Sequence, residues 1–145
     1  MTRSDILTPA AVLVLWSLVM LIWMGFARFS AIGAVPRDAL KTLPKVGGRG
    51  DDLAAVLPMH VNWVSHNYTH LMEQPTLFYA TVAILAIAGQ GNGINAQLAW
   101  GYVGLRIAHS LWQAMTNTIP VRFGLFVLST ACLLAMAVNA LRATL

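Results

Sequence analysis

The sequence predicts an all-α fold, a bundle of four membrane-spanning helices in a single domain. Of the 145 residues, 58% are hydrophobic and 10% are charged. Soluble domains are about 25% charged, so lipid must cover part of the apolar surface of so short a chain. Apolar runs long enough to cross a bilayer also alternate with segments rich in proline, glycine or asparagine. These two observations predict the fold class.

The four predicted spans cover residues about 7–29, 59–88, 94–115 and 121–142. Residues about 30–58 form a large loop, because prolines and a run of glycines there break helices. Within the second span, Pro75 should produce a kink, since proline removes a backbone hydrogen-bond donor.

The distribution of cations predicts the orientation in the membrane. The cations in or beside the large loop are Arg28, Arg37, Lys41, Lys45 and Arg49, whereas Arg3 and Arg142 lie on the other side. The positive-inside rule therefore places the large loop in the cytoplasm and both termini outside it. The net charge of +4 could suit a nucleic acid. However, the cations form no groove with interleaved aromatics, so we expect membrane lipid, and no nucleic acid, as a partner.

Polar side chains inside the spans form two stripes, because residues three or four positions apart share one face of a helix. The stripe on the second span comprises Asn62, His66, His70 and Glu73, and that on the third comprises Arg106, His109 and Gln113. With Arg28 and Arg122 at cytoplasmic ends, all the ionisable groups fall in one half of the bilayer. We expect one polar cavity open to the cytoplasm, with Glu73 and Arg106 paired at its floor.

Three interpretations of these side chains differ in chemistry. Several cations around one carboxylate suit an anionic or zwitterionic ligand, since buried charges in membranes usually face protein or water. Alternatively, Glu73 and Arg106 form only a structural clamp between helices. His66 and His70, with Glu73 one turn on, also have a spacing that suits zinc. Because Arg106 would repel a metal ion, we expect no metal.

Two motifs resemble those of the MAPEG family, the membrane-associated proteins of eicosanoid and glutathione metabolism. Residues 106–109 read Arg-Ile-Ala-His and are followed by Pro120-Val121-Arg122, while Glu73 precedes Pro75 on the second span. The resemblance implies four spans and a homotrimer. It also implies a glutathione site that opens to the cytoplasm between subunits, and for a divergent member of bacterial type it implies the inner membrane.

The resemblance also implies roles for individual residues. Glu73 would bind the amino end of glutathione as co-substrate, and Arg122 would stabilise the thiolate as the catalytic residue. The other expected contacts are Arg28, His66, His70, Arg106, His109 and Gln113. His66 and His70 stand where the glutathione-handling members have arginine and asparagine, and Phe126 lies near a position that is often tyrosine.

Two hypotheses about function follow. In the first, the protein is a glutathione-dependent transferase or peroxidase that acts on lipophilic electrophiles delivered by the membrane. In the second, it is a non-catalytic membrane protein of the same fold whose polar residues are structural or bind another ligand. Glu73, Arg106 and Arg122 favour the first hypothesis, while His66, His70 and Phe126 favour the second.

Overall fold

The computed structural model describes residues 4–145, and in that range it contains seven α-helices and no strand. The helices are α1 (Leu7–Ile32), α2 (Arg37–Lys41), α3 (Gly50–Ala54), α4 (Met59–Glu73), α5 (Pro75–Ile87), α6 (Ile94–Met115) and α7 (Ile119–Thr144). The predicted all-α class is therefore confirmed. Arg3, one of the charges used to predict the orientation, lies outside the described residues.

Two helices among residues 4–145 are long and apolar enough to cross a membrane. These are α1 and α7, with 26 residues each and mean hydropathies of 2.3 and 2.0 in their most apolar windows. Only 17% of each window is buried within the chain. The second predicted span is divided between α4 and α5, which have 15 and 13 residues. The third, α6, includes the polar stripe at Arg106, His109 and Gln113.

The break in the second predicted span lies at Gln74. Pro75 is the first residue of α5, where its missing N–H and fixed φ are tolerated. The backbone of Gln74 keeps helical angles, with φ at −61° and ψ at −35°. The two helices therefore join at Gln74 without an intervening loop.

The large loop is more ordered than its composition predicts, since it contains α2 and α3. Side chains from the long helices hold both ends of α3. Arg28 Nη2 donates a hydrogen bond to the carbonyl oxygen of Gly50 at 3.2 Å, and Asn62 Nδ2 donates to that of Ala54 at 2.8 Å. The loop is thus fixed against the ends of α1 and α4 at two points.

The apolar core runs the length of the bundle between the long helices, and α6 packs along α7 while α1 packs against α4 and α6. Phe78 and Tyr102, both fully buried, stack with their ring centroids 4.4 Å apart. Leu13 and Met20 of α1 and Met136 of α7 are likewise fully buried. This packing fixes the rotation of α5 against α6, and so determines which side chains face the polar end of the bundle.

Three helices meet at one hydroxyl group, that of Ser110 on α6. Its Oγ accepts a hydrogen bond from Asn67 Nδ2 on α4 at 2.7 Å and another from Trp16 Nε1 on α1 at 3.0 Å. Ser110 is 0% exposed and Asn67 is 1% exposed, so water cannot replace the bond between them. The register of α1, α4 and α6 therefore depends on this acceptor.

Replacing Ser110 with alanine should destabilise the fold, because it leaves the buried N–H donor of Asn67 and the half-buried donor of Trp16 without their acceptor. A buried unsatisfied donor costs about 1–3 kcal/mol, and we expect a loss of this size in the free energy of unfolding measured in detergent. Ser30→Ala is the matched control, since the Ser30 hydroxyl is exposed and bonds only to its own helix. Equal stability of the two variants would contradict the role of Ser110.

Candidate functional site

Two neighbouring pockets lie at the end of the bundle where α6 finishes and α7 begins. The polar pocket, of about 290 Å³, is lined by Asp51, His66, Thr69, His70, Glu73, Gln113 and Arg122. The apolar pocket, of about 220 Å³, is lined by His70, His109, Ile119, Arg122, Phe123 and Phe126. His70 and Arg122 line both pockets and therefore stand at their junction. A ligand that fills one pocket would reach the other at these two side chains.

His70 links the carboxylate of Glu73 to a cluster of rings. Its Nδ1 lies 2.9 Å from Glu73 Oε2, three residues further along the helix. Its ring stacks on Phe126 with centroids 5.6 Å apart, and it lies 5.0 Å from the ring of His109. The side chain of Glu73 is 62% exposed, so this carboxylate faces the open side of the polar pocket.

Arg122 is held in place from the turn that precedes α7. Its Nη1 donates a hydrogen bond to Oδ1 of Asn117, a residue in the left-handed region with φ at 59°. The ion pairs among residues 4–145 are Lys41–Asp38 and His70–Glu73, so Arg122 forms none with a carboxylate of the described chain. A half-buried guanidinium that is oriented by a neutral amide keeps its charge available for an anionic ligand.

Arg106 lies in the interior and not at the floor of the polar pocket. It is 0% exposed. Its Nη2 donates to Oε1 of Gln74, and its Nε donates to the hydroxyl of Tyr102 at 3.2 Å. Its guanidinium carbon also lies 5.4 Å from the ring centroid of Tyr102 and 5.3 Å from that of Phe126. The predicted pairing of Glu73 with Arg106 is therefore wrong, because Glu73 bonds to His70.

The pairing is wrong because Glu73 and Gln74 point in different directions from the second predicted span, and Gln74 is the one that faces the bundle. The side of α4 and α5 that faces the bundle passes through Asn67, Leu71, Gln74 and Phe78, at steps of four, three and four. Glu73 precedes Gln74 by one residue, which rotates its side chain by about 100°. Gln74 thus reaches Arg106 on α6 and, through its Nε2, Thr130 Oγ1 on α7 at 2.9 Å.

The remaining predicted site residues fall in three places. His66 is exposed on the wall of the polar pocket, and Gln113 lines the same pocket while only 4% exposed. His109 lines the apolar pocket and is 3% exposed. Arg28 lines neither pocket. Its Nη2 donates to Ser65 Oγ at 2.5 Å as well as to the loop.

The pocket residues that the sequence does not predict are Asp51, Thr69, Ile119 and Phe123. It also does not predict Gln74, which lines neither pocket and bonds to Arg106. Gln74 was missed because it lies one position off the predicted stripe, although a polar residue directly before Pro75 in an apolar span was a usable signal. Asp51 lies in the large loop, where no periodicity relates it to the helices. Its approach to the pocket depends on the contacts that hold α3.

In the part of the chain that the structure describes, no arrangement of side chains supports metal binding. No group of three or more His, Cys, Asp or Glu side chains in residues 4–145 is placed to hold a metal ion. The histidine and glutamate side chains considered for zinc in the sequence line the two pockets instead. There, His70 bonds to Glu73 and packs against the rings of His109 and Phe126.

Replacing Gln74 with leucine should destabilise the fold strongly, since it removes the side-chain acceptor that faces the buried charge of Arg106. Leaving a buried donor without its acceptor costs about 1–3 kcal/mol, and more where the donor is charged, which is measurable as a loss in the free energy of unfolding in detergent. Gln97→Leu, on an exposed position of α6, is the control and should have little effect. Similar stability losses in both variants would show that Gln74 does not support Arg106.

Comparison with known proteins agrees with the predicted family. The MAPEG family model matches residues 6–142, nearly the whole chain. Comparison with curated proteins and with solved structures gave no match. The match covers all four long helical stretches, including the Arg106–His109 motif and Arg122, on which the resemblance rested. Together with the apolar helices α1 and α7, it indicates an integral membrane protein. The chain belongs to the MAPEG family.

Proposed function

We propose that this protein is a glutathione-dependent transferase of the membrane, which joins the glutathione thiol to lipophilic electrophiles. The observation that carries the proposal is the junction of the two pockets. Arg122 and His70 line both a polar pocket, suited to a charged co-substrate, and an apolar pocket, suited to a lipophilic one. The reacting atoms of the two substrates would meet beside these side chains.

The polar pocket offers groups of both signs, as a zwitterionic ligand requires. Asp51 and Glu73 are carboxylates that suit an ammonium group, while Arg122 suits a carboxylate or thiolate. Glutathione carries one ammonium group, two carboxylates and a thiol, so its charges match this set. Membership of the MAPEG family supports glutathione over other zwitterions of similar size.

Arg122 is the residue that we expect to activate the thiol. The thiolate is the nucleophile, and a neighbouring cation lowers the pKa of a thiol. The thiol would give its proton to solvent, which reaches the open polar pocket, and the thiolate would remain beside the guanidinium. With an activated aryl chloride, the sulfur forms a bond to the ring carbon, the carbon–chlorine bond breaks, and chloride leaves with the electron pair.

The apolar pocket gives a lipophilic substrate a route from the bilayer. Ile119 and Phe123 line it and remain 72% and 65% exposed on the first turns of α7. Phe126 forms its inner wall, against His70. A substrate dissolved in lipid could thus enter beside α7 and reach Arg122 without crossing water.

We further propose that the chain spans the membrane four times and assembles as a homotrimer. One stripe on α4 and α5 is formed by residues spaced three and four positions apart, all of which are exposed. Most of these residues are polar or small. The stripe consists of His66, Thr69, Glu73, Thr76, Ala80, Ala83 and Ile87. Polar side chains that face lipid are costly, and small residues allow close packing of membrane helices. The stripe is therefore suited to another copy of the chain, which would also close the open side of the polar pocket.

The orientation proposed for this assembly places the pockets on the cytoplasmic side, where glutathione is abundant in cells that make it. Arg28, Arg122 and the cations of the large loop lie at the pocket end of the bundle, as the positive-inside rule requires of a cytoplasmic face. This orientation and the family resemblance suit a bacterial inner membrane.

A non-catalytic protein of the same fold is the second candidate, and one observation favours it. His70 and Phe126 stack on each other between the pockets and Arg106, so this cation is not available at the surface of either pocket. In that case Arg106 is purely structural, and the polar pocket binds a ligand but catalyses no reaction. The two candidates differ in whether an electrophile is consumed.

The parent protein should be stabilised by millimolar glutathione in a thermal unfolding experiment, and it should conjugate glutathione to an activated aryl chloride. Arg122→Ala should reduce the conjugation rate by tenfold or more, because the thiolate loses its cation; about 1.4 kcal/mol corresponds to tenfold. Arg37→Ala is the matched control, since Arg37 lies exposed on α2. Absence of a thermal shift would contradict glutathione binding, and a shift without turnover would favour the non-catalytic candidate.

Ala80→Phe should disrupt the assembly, because a large ring in the middle of the small-residue stripe prevents close helix packing. Light scattering coupled to size-exclusion chromatography in detergent should show three copies for the parent and fewer for the variant. Ala137→Phe, on an exposed position of α7, tests whether any added ring has this effect. A monomeric parent would contradict the proposed trimer.

A further inference from the structure

We propose that Asp51, carried by the loop helix α3, binds the ammonium group of the ligand, and that Arg28 and Asn62 are positioning residues that hold α3 beside the polar pocket. The proposal rests on the glutathione function proposed above and deepens it. It adds a residue of the large loop to the site, and it gives Arg28 a different role from the ligand contact that the sequence suggests.

The two neighbouring carboxylates of α3 have separate tasks. Asp52 Oδ2 accepts a hydrogen bond from the backbone N–H of Arg49 at 2.7 Å and so closes the first turn of α3. Asp51 is exposed and lines the polar pocket with Glu73. The carboxylate of Asp51 is thus left free for a ligand, while that of Asp52 maintains the helix.

A helix of five residues needs outside support, because isolated helices this short are unstable in water. Arg28 supplies support at the first residue, through its 3.2 Å bond to the carbonyl oxygen of Gly50. The same nitrogen bonds to Ser65 Oγ on α4, so one guanidinium links α1, α3 and α4. A Cβ atom at position 50 would lie 2.9 Å from Arg28 Nη1, which makes glycine the residue that permits this close approach.

Asn62 supplies support at the other end of α3, where its Nδ2 donates to the carbonyl oxygen of Ala54. With both ends fixed to the long helices, the position of Asp51 relative to α4 is determined. Arg28 and Asn62 themselves line neither pocket. Their influence on a ligand is therefore indirect, and the contact that the two residues share is with α3.

An independent observation is a hydrogen-bond acceptor without a partner on a residue that lines the same pocket. Gln113 lines the polar pocket and is 4% exposed, and its buried Oε1 has no hydrogen-bond partner among the described residues. A buried acceptor without a partner is unfavourable. Together with Asp51 and Glu73, this oxygen provides acceptors for a primary ammonium group, which has three N–H donors. The α-ammonium of glutathione is such a group.

The test compares glutathione with its deaminated analogue, in which a glutaryl group replaces the γ-glutamyl group, by calorimetric titration of the intact protein in detergent. The parent should bind glutathione at least about tenfold more tightly, as expected for one charge-assisted hydrogen bond. Asp51→Asn should lose most of this preference and bind the analogue as the parent does. Asp38→Asn, on the exposed loop helix α2, should keep the preference.

Arg28→Gln and Asn62→Leu should reduce the preference for glutathione in the parent, and they should have little further effect in the Asp51→Asn background. A merely structural loss would weaken the binding of both ligands equally and in both backgrounds. Binding of glutathione by the parent with an unchanged preference in Asp51→Asn would overturn the inference alone. Failure of the parent to bind glutathione would overturn the proposed function and the inference with it.

Discussion

The burial of Arg106 is the constraint on which the rest of the structure depends. A guanidinium that is 0% exposed has lost its hydration, and no carboxylate of the described chain compensates it. Burial of a charge is costly, and hydrogen bonds from the surrounding protein offset part of that cost. Here Nη2 donates to Gln74, at the joint of α4 and α5, Nε donates to Tyr102 on α6, and the ring of Phe126 on α7 lies over the guanidinium. Nη1 is buried without a hydrogen-bond partner among the described residues, so the burial of this charge is only partly compensated. The charge therefore sets the rotation of all three helices around one point.

Because of this constraint, two adjacent side chains point in different directions, one into the interior and one into the polar pocket. Because Gln74 must face Arg106, its neighbour Glu73 is rotated toward the open side, where its carboxylate meets His70 and the polar pocket. Pro75 fixes the position at which α4 gives way to α5 and so fixes which residue faces inward. A shift of one residue in this joint would place a carboxylate in the interior and remove it from the pocket.

The sequence predicts the helices well, and the site in part. The range 94–115 predicted for the third span is the range of α6, because polar turns with glycine and proline bracket a clear apolar run. Spacing by three and four residues groups His66, His70 and Glu73, and these three side chains line the same pocket in the structure. Spacing alone does not determine which neighbouring residue faces the core, so Gln74 was missed. The place of Asp51 depends on bonds from Arg28 and Asn62, which no local pattern encodes.

The positions at which this chain departs from the glutathione-handling members are coupled to one another in space. His70 and Phe126 are distant in the sequence, yet their rings stack, and Phe126 also lies over the guanidinium of Arg106. A side chain without a ring at either position would lose this stacking. The two rings thus separate a structural cation in the interior from Arg122, the cation that both pockets share. Any thiolate bound at the junction must therefore rely on Arg122, which makes this residue the decisive one for distinguishing an enzyme from a binding protein.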